Sequence, residues 1–317
     1  MGYIFLWNLN SYLPSNDDDT TDLAPTASVA IDWRLPVLNN VSDVEFSVDY
    51  RMDVKLMLVT TIPVPLVMAA DYDTAWQLRY ARDAPREVKM RNRMREGLKT
   101  CSDMNETVLD VGMNEGFISL LAASYGCRVI AFEPQPRCAR LVHVSAALND
   151  LTPRLDIRTG FVTDDPYGTT HTVSRRRCDG MVFASKEAGR GRVRVPVFSI
   201  DDVIAETAGQ RALFMHMDIN GGEVGALRSA RYTLAEGRIR YLAVEYSPSW
   251  WYRWSSGSVD EICADLRLIL SRYECVDLDD DAIVKDLCLI KRGWYPWRFD
   301  KSTDLFCTLL PATNDVR

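Results

Sequence analysis

The segment that most constrains the fold is residues 108–117, where the apolar run Val-Leu-Asp-Val leads directly into Gly-Met-Asn-Glu-Gly-Phe. Gly112 permits a sharp turn with close backbone approach, and Gly116 lets a following helix begin close to a ligand. Asn114 can hydrogen-bond within the turn. Since open α/β sheets bind ligands at the carboxyl ends of their strands, the segment predicts a strand, a ligand-binding turn and a helix.

Downstream of this turn, short β-rich runs alternate with helical segments, which is typical of a parallel sheet covered on both faces. Seven strands are predicted, at Thr107–Val111, Arg128–Phe132, Leu155–Phe161, Leu213–Met217, Ile239–Tyr246, Glu274–Leu278 and Leu305–Leu310. Helices are predicted at Gly116–Tyr125, Arg137–Leu148, Ile200–Ala208, Glu223–Ala235 and Val259–Ser271. The predicted fold class is therefore α/β, with a Rossmann-like, doubly wound, seven-stranded sheet. Residues 166–198 break the alternation and predict an inserted hairpin or loop.

The chain before this sheet divides into two parts. Residues 1–45 are polar and have no sustained apolar period, which predicts a flexible arm. Residues 46–100 contain a strand-like stretch followed by a charged segment of helix-forming composition, and we expect them to form a lead-in that packs on the core. Residues 101–317 then form the main domain.

Composition limits the class of protein. The net charge of -7 gives the chain as a whole no electrostatic attraction to nucleic acid. The eight cysteines form no C-x-x-C pair, so we interpret them as small buried hydrophobic residues in a reducing compartment rather than as zinc ligands or disulfides. The first residues lack the pattern of a signal peptide, and the apolar run at 56–70 is too short to span a membrane. A protein that is cytoplasmic or otherwise soluble, in a reducing compartment, is predicted.

The second predicted strand ends in Phe132, Glu133 and Pro134. An acidic side chain here, twenty-one residues after Gly112, can accept both hydroxyls of a ribose. The G-x-N-x-G spacing differs from the G-x-G-x-x-G of dinucleotide sites, and Glu115 disfavours a pyrophosphate while suiting the cationic sulfonium of S-adenosylmethionine. An NAD site, or a simple tight turn beside a solvated strand end, are the alternatives. The residues expected to bind the cofactor are Asp110, Gly112, Asn114, Gly116, Phe132, Glu133 and Pro134.

Three motifs resemble those of the FkbM-type methyltransferases. Residues 110–119, D-V-G-M-N-E-G-F-I-S, match the family's D-V-G-A-N-x-G-x-x-S, and residues 132–134 match its F-E-P. Residues 216–223, H-M-D-I-N-G-G-E, match its K-x-D-x-E-G-x-E. The resemblance covers about residues 100–310 and implies a methyltransferase that uses S-adenosylmethionine. Asn220 departs from the family's usual Glu, and His216 departs from its usual Lys.

Polar residues near the end of the fourth strand are candidates for catalysis. Methyl transfer to a hydroxyl needs a base to take the proton as the oxygen becomes nucleophilic. We predict Asp218 as that base or as a group that orients the acceptor, with His216 and Glu245 as further catalytic candidates and Glu223 as a residue that binds substrate. Alternatively, His216 is a core histidine and Glu223 is an acid at a helix amino end. His171 is interpreted as a surface residue.

Aromatic residues after the fifth strand are candidates for binding the acceptor. Trp250 and Trp251 lie where a sugar or another planar acceptor could stack on their rings. Packing against the aromatic segment at 294–297 is the alternative. We see no ligand cluster that demands a metal.

The resulting hypothesis is O-methylation of a small-molecule or glycan hydroxyl. A catalytically silent module that binds a partner through its acidic arm is the first alternative, motivated by Asn220. An NAD-dependent oxidoreductase is the second.

Overall fold

The computed structural model describes residues 45–48, 54–59, 65–71, 85–101, 106–166, 168–174, 178–180, 191–288 and 303–311. Its strands are β1 (Glu45–Val48), β2 (Val54–Val59), β3 (Leu66–Asp71), β4 (Thr107–Val111), β5 (Arg128–Phe132), β6 (Leu155–Arg158), β7 (Phe161–Val162), β8 (Thr170–Ser174), β9 (Arg192–Phe198), β10 (Ala212–Met217), β11 (Ile239–Tyr246), β12 (Tyr273–Asp277), β13 (Ile283–Val284) and β14 (Thr303–Leu309).

Its helices are α1 (Pro85–Leu98), α2 (Phe117–Ser124), α3 (Pro136–Leu148), α4 (Ile200–Glu206), α5 (Glu223–Ser229), α6 (Arg231–Ala235), α7 (Pro248–Trp254) and α8 (Val259–Ile269). Within the described ranges, no helix has the length and apolar character needed to cross a membrane.

The central sheet has eight strands in the order β13-β12-β14-β11-β10-β4-β5-β6. Strands β11, β10, β4, β5 and β6 run parallel, whereas β14 is antiparallel to both of its neighbours. This confirms the predicted doubly wound fold class. The predicted strand at 155–161 is split between β6 and β7, and the predicted helix at 223–235 is broken at Ala230, whose φ of -105° and ψ of 9° are not helical.

The two faces of the sheet are buried in separate layers of helices. Every residue of β4 and β10 is buried, and successive side chains point to opposite faces. Val108 and Phe214 pack in the cluster that contains α2 residues, whereas Leu109 and Met215 pack in the cluster that contains α5 residues. Burial on both faces explains why these strands are continuous apolar runs.

The lead-in forms an antiparallel sheet, β1-β2-β3, that contacts α3 through β3. The side chain of Asn149 donates to Val67 O at 2.6 Å and accepts from Val67 N at 2.8 Å. Ser145 Oγ accepts from Ala69 N at 2.8 Å. These side chains satisfy backbone groups of β3 in place of a further strand. The arm predicted at residues 1–45 lies, apart from Glu45, outside the described residues.

The insertion between β6 and α4 contains the predicted hairpin. Strands β8 and β9 pair antiparallel, and β7 joins β9 to complete a three-stranded sheet. Residues 178–180 form a separate described segment within the insertion, and this segment lies at the functional site.

The cysteine prediction is wrong, because all eight cysteines form disulfides. The pairs are Cys101–Cys127, Cys138–Cys178, Cys263–Cys288 and Cys275–Cys307. Their partners are 25 to 40 residues apart in sequence, so only the tertiary fold brings them together. Cys275 and Cys307, for example, are register partners on β12 and β14. Because disulfides persist mainly in oxidising environments, the inference of a reducing compartment loses its basis.

Candidate functional site

A cavity of about 320 Å³ opens at the carboxyl edge of the central sheet, a volume within the usual range for small-molecule sites. Its walls include the turns after β4, β5, β7 and β10 and residues 179–180 of the insertion. Strand β4 lies between β5 and β10. The chain adds β5 and β6 on one side of β4 and later adds β10 and β11 on the other side, so the strand order reverses at β4. The cavity therefore occupies the position where open α/β sheets bind their ligands.

The glycine turn after β4 is a backbone cradle. Gly112 has a φ of +87°, and a Cβ there would lie 2.0 Å from Asp218 O. Gly112 N donates to Phe132 O at 2.9 Å, which joins the turn to the end of β5. Gly116 has a different role: a Cβ at this position would lie 2.6 Å from Val142 Cγ2, so this glycine lets α2 approach α3 and does not line the cavity.

Glu133 lies in the cavity wall at the end of β5, together with Phe132 and Pro134. Its Oε2 accepts from Asn114 N at 3.0 Å, and its Oε1 accepts from Gln135 N at 2.9 Å and Gln135 Nε2 at 3.1 Å. Burial raises the pKa of Glu133 to about 7, against the lowering effect of these hydrogen bonds. The carboxyl group is therefore fixed in place while it remains in contact with the cavity.

Asp110 and His216 form a buried pair beneath the glycine turn. His216 Nδ1 lies 2.8 Å from Asp110 Oδ1, and Ser119 Oγ donates to Asp110 Oδ2. Burial opposes the charge on His216, but the hydrogen bond and the charge of Asp110 outweigh it and raise the pKa of His216 to about 9. Neither Asp110 nor His216 lines the cavity. The structure therefore does not bring Asp110 to a ligand, and His216 is a protonated partner of Asp110 rather than a free base.

Three carboxyl groups meet at the ends of β10 and β11. One oxygen each from Asp218, Glu223 and Glu245 lies within 4.8 Å of the others. Asp218 faces the cavity, whereas Glu223 is fully buried and accepts from Ile219 N and Gly221 N, both at 2.9 Å. Glu245 lies beside Asp218. Two of these acids are therefore positioned behind the one that a substrate can reach.

The pKa of each acid in this cluster is raised. Burial is the largest cause for Glu223 and Glu245, and it raises the pKa of Glu223 to about 8 and that of Glu245 to about 7. The pKa of Asp218 rises well above its usual range because the negative charge of Glu245 adds to the loss of hydration. Carboxylate oxygens at this spacing could also serve as ligands of a hard divalent cation. The cluster can thus hold and exchange protons at the cavity wall.

The predicted aromatic residues occupy α7. Trp251 is 1% exposed and packs edge-on against Tyr246 at a centroid distance of 5.0 Å. Trp250 is partly exposed, with the Arg253 guanidinium 5.8 Å from its ring centroid. Neither tryptophan lines the cavity. Trp251 is therefore a packed residue beside Tyr246. The predicted alternative, packing against residues 294–297, lies outside the described residues.

The prediction that His171 is a surface residue is wrong. His171 is 8% exposed, lines the cavity and has its Nε2 2.7 Å from Asp165 Oδ2. Gln135 and Asp179 also line the cavity and were not predicted. A lone histidine among threonines on an insertion carries no sequence signal, and the Gln135–Asp179 contact joins residues 44 positions apart.

The sequence model of the methyltransferase FkbM domain matches residues 110–275, about half of the chain. No curated protein sequence matches the chain. The bifunctional kinase-methyltransferase WbdD is similar in structure, with 13% identity and a TM-score of 0.40 over 73% of this chain and 42% of WbdD. This chain thus spans less than half of the length of WbdD.

Two further solved structures are similar to the chain. A SAM-dependent methyltransferase from Agrobacterium tumefaciens has 11% identity and a TM-score of 0.43, over 81% of this chain and 70% of that one. The methyltransferase domain of METTL16 has 10% identity and a TM-score of 0.38, over 71% of this chain and 68% of that one.

Proposed function

Since the chain belongs to the FkbM methyltransferase family, we propose that it methylates a hydroxyl group of a small molecule or glycan. The observation that carries this proposal is the position of Asp218, which lines the same cavity as the glycine turn and has a carboxyl oxygen within 4.8 Å of one from Glu245. A base beside the cofactor site is what transfer to a hydroxyl requires. Family membership speaks against the alternative of an NAD-dependent oxidoreductase.

The cofactor of this family is S-adenosylmethionine, and the residues of the cavity fit it. Glu133 presents a carboxylate that can accept from ribose hydroxyls, and a side chain at Gly112 would fill the cradle beside it. Asn114, Phe132 and Pro134 complete this part of the wall. When bound, the cofactor supplies an electrophilic methyl group. Asp110 and Gly116 support the turn from behind the cavity surface.

Asp218 is proposed to accept the proton of the acceptor hydroxyl as the hydroxyl oxygen becomes the nucleophile. Its raised pKa makes the ionised carboxyl group a stronger base, and Glu245 lies beside it as a second group that can hold a proton. Glu223 holds the loop after β10 through Ile219 N and Gly221 N, so it is assigned to positioning. Trp250, partly exposed on α7, is the aromatic residue left as a candidate for contact with the acceptor.

Isothermal calorimetry and a transfer assay test the proposal together. Wild-type protein is expected to bind S-adenosylmethionine and S-adenosylhomocysteine and to methylate a member of a panel of hydroxylated acceptors. Asp218→Asn imitates the protonated acid, so binding of S-adenosylhomocysteine should persist while transfer falls by about a hundredfold or more, the usual contribution of a general base. Asp156→Asn changes an exposed acid on β6 and serves as the matched control.

Each contrary result has a distinct meaning. Absence of binding of both compounds to folded protein would reject the cofactor assignment. Binding without transfer to any acceptor would favour the catalytically silent alternative. Full activity in Asp218→Asn would remove Asp218 from the role of base.

A further inference from the structure

The segment Cys178–Gly180 of the insertion, which we call the strap, is attached at three points beside the cavity. A disulfide joins Cys178 to Cys138 near the start of α3. Asp179 donates its backbone N–H to Gln135 Oε1 at 2.9 Å and accepts at its carbonyl from Gln135 Nε2 at 2.8 Å. The third attachment is made by Asn220 Nδ2, which donates to Gly180 O at 2.9 Å.

The attachments lie on opposite sides of the glycine turn. Gln135 follows β5 and Asn220 follows β10, and β4 lies between these two strands in the sheet. The strap therefore crosses the carboxyl end of β4, where Gly112 begins the cradle. Asp179 and Gly180 both line the cavity. Gln135 also donates to Glu133, so one side chain links the strap to the carboxylate assigned to the ribose.

Asn220 is suited to this attachment in two ways. Its φ of 54° lies in the left-handed region, which Asn adopts more readily than most residues. Its side-chain amide supplies the hydrogen-bond donor that the carbonyl of Gly180 needs. A glutamate, which is usual in the family pattern at this position, has no donor when ionised and would place a negative charge against that carbonyl. The departure from the pattern therefore coincides with a contact that only a donor can make.

We propose that Gln135 and Asn220 are positioning residues that hold the strap across the cofactor site, so that Asp179 and Gly180 form part of its wall. This inference rests on the proposed function, because it takes the cavity over β4 as the S-adenosylmethionine site. In this arrangement Asn220 does not touch reacting atoms. It fixes a segment of the insertion whose other end is fixed by the Cys138–Cys178 disulfide.

Asn220→Asp is the sharpest test, because it keeps the size of the side chain and its tolerance of left-handed backbone but removes the donor. Loss of one hydrogen bond at the strap is expected to raise the Kd for S-adenosylhomocysteine about tenfold in calorimetry. In cofactor-free protein, hydrogen exchange at the amide of Asp179 should become faster. Asn149→Asp is the matched control, since it removes a donor to Val67 O away from the cavity. It should lower Tm without changing Kd.

A second pair of variants tests the covalent attachment. Cys138→Ser with Cys178→Ser should weaken binding of S-adenosylhomocysteine, whereas Cys101→Ser with Cys127→Ser removes another disulfide and should leave the Kd unchanged. If Asn220→Asp binds and exchanges as the wild type does, the inference is overturned. If the wild type itself does not bind S-adenosylhomocysteine, the proposed function fails, while the exchange of the Asp179 amide still decides whether Asn220 holds the strap.

Discussion

The two sides of the cavity both place an acid at the end of a parallel strand, with Glu133 buried and Asp218 exposed, and they surround it differently. On the cofactor side, the Glu133 carboxylate accepts three hydrogen bonds from N–H groups. On the acceptor side, Asp218 and Glu245 face each other, and Glu223 adds a third carboxyl group. The first arrangement holds a carboxylate still for binding, whereas the second makes loss of a proton depend on a neighbour. Acids at the ends of two parallel strands thus serve two different chemical roles.

Gly112→Ala should disrupt the glycine turn on the cofactor side of the cavity and produce the largest effect. The new Cβ would lie 2.0 Å from Asp218 O, at a φ of +87°, so both the turn and the end of β10 would have to move. We expect a loss of at least about 3 kcal/mol of unfolding free energy and no measurable binding of S-adenosylhomocysteine. Denaturant unfolding and calorimetry measure the two losses.

Gly209→Ala is the control for backbone strain alone. Gly209 has a φ of +80°, but no described atom lies within 4 Å of the point that a Cβ at this residue would occupy. This variant should lose about 1 kcal/mol and bind S-adenosylhomocysteine normally. Equal losses in the two variants would mean that contact with Asp218 O does not explain the glycine at position 112.

The Asp110–His216 pair lies between the two sides, and its contribution should depend on pH. The folded pKa of His216 is raised from 6.5 to about 9, so its stabilisation is fully present below pH 6.5 and is lost as pH rises through 9. His216→Gln keeps a neutral donor and removes the charge. The difference in unfolding free energy between wild type and variant should therefore shrink by about 3 kcal/mol between pH 6 and pH 10. A difference independent of pH would contradict the charged pair.

Local sequence patterns were sufficient to predict the cofactor side of the cavity but not the arrangement of the acceptor side. Gly112 and Glu133 were predicted because a strand, a glycine turn and a strand end are short-range features with a defined spacing. The raised pKa values of Asp218 and Glu245 depend on two strands being neighbours, and the pairing of Asp110 with His216 joins residues 106 positions apart. The disulfides and the position of His171 were mispredicted for the same reason. Contacts set by topology leave no local pattern.

Glu245→Gln tests the acceptor side of the cavity and should produce the smallest of these effects. Loss of hydration and the charge of Glu245 raise the pKa of Asp218, so the base form of Asp218 becomes more abundant as pH rises, and the transfer rate should rise with pH. Removing the charge of Glu245 lowers the pKa of Asp218, and the rising limb of kcat/KM should move to lower pH by about one unit.

His216, Glu223 and Asp304 also act on this cluster, so the comparison must be made between variants that change a single charge. Glu274→Gln removes an exposed carboxylate on β12 and should leave the profile in place. If the pH profile of kcat/KM does not move in Glu245→Gln, its rising limb reports the titration of a group other than Asp218. A shift to higher pH would reverse the sign expected for removal of a neighbouring negative charge, and the acceptor side would then need a different proton acceptor.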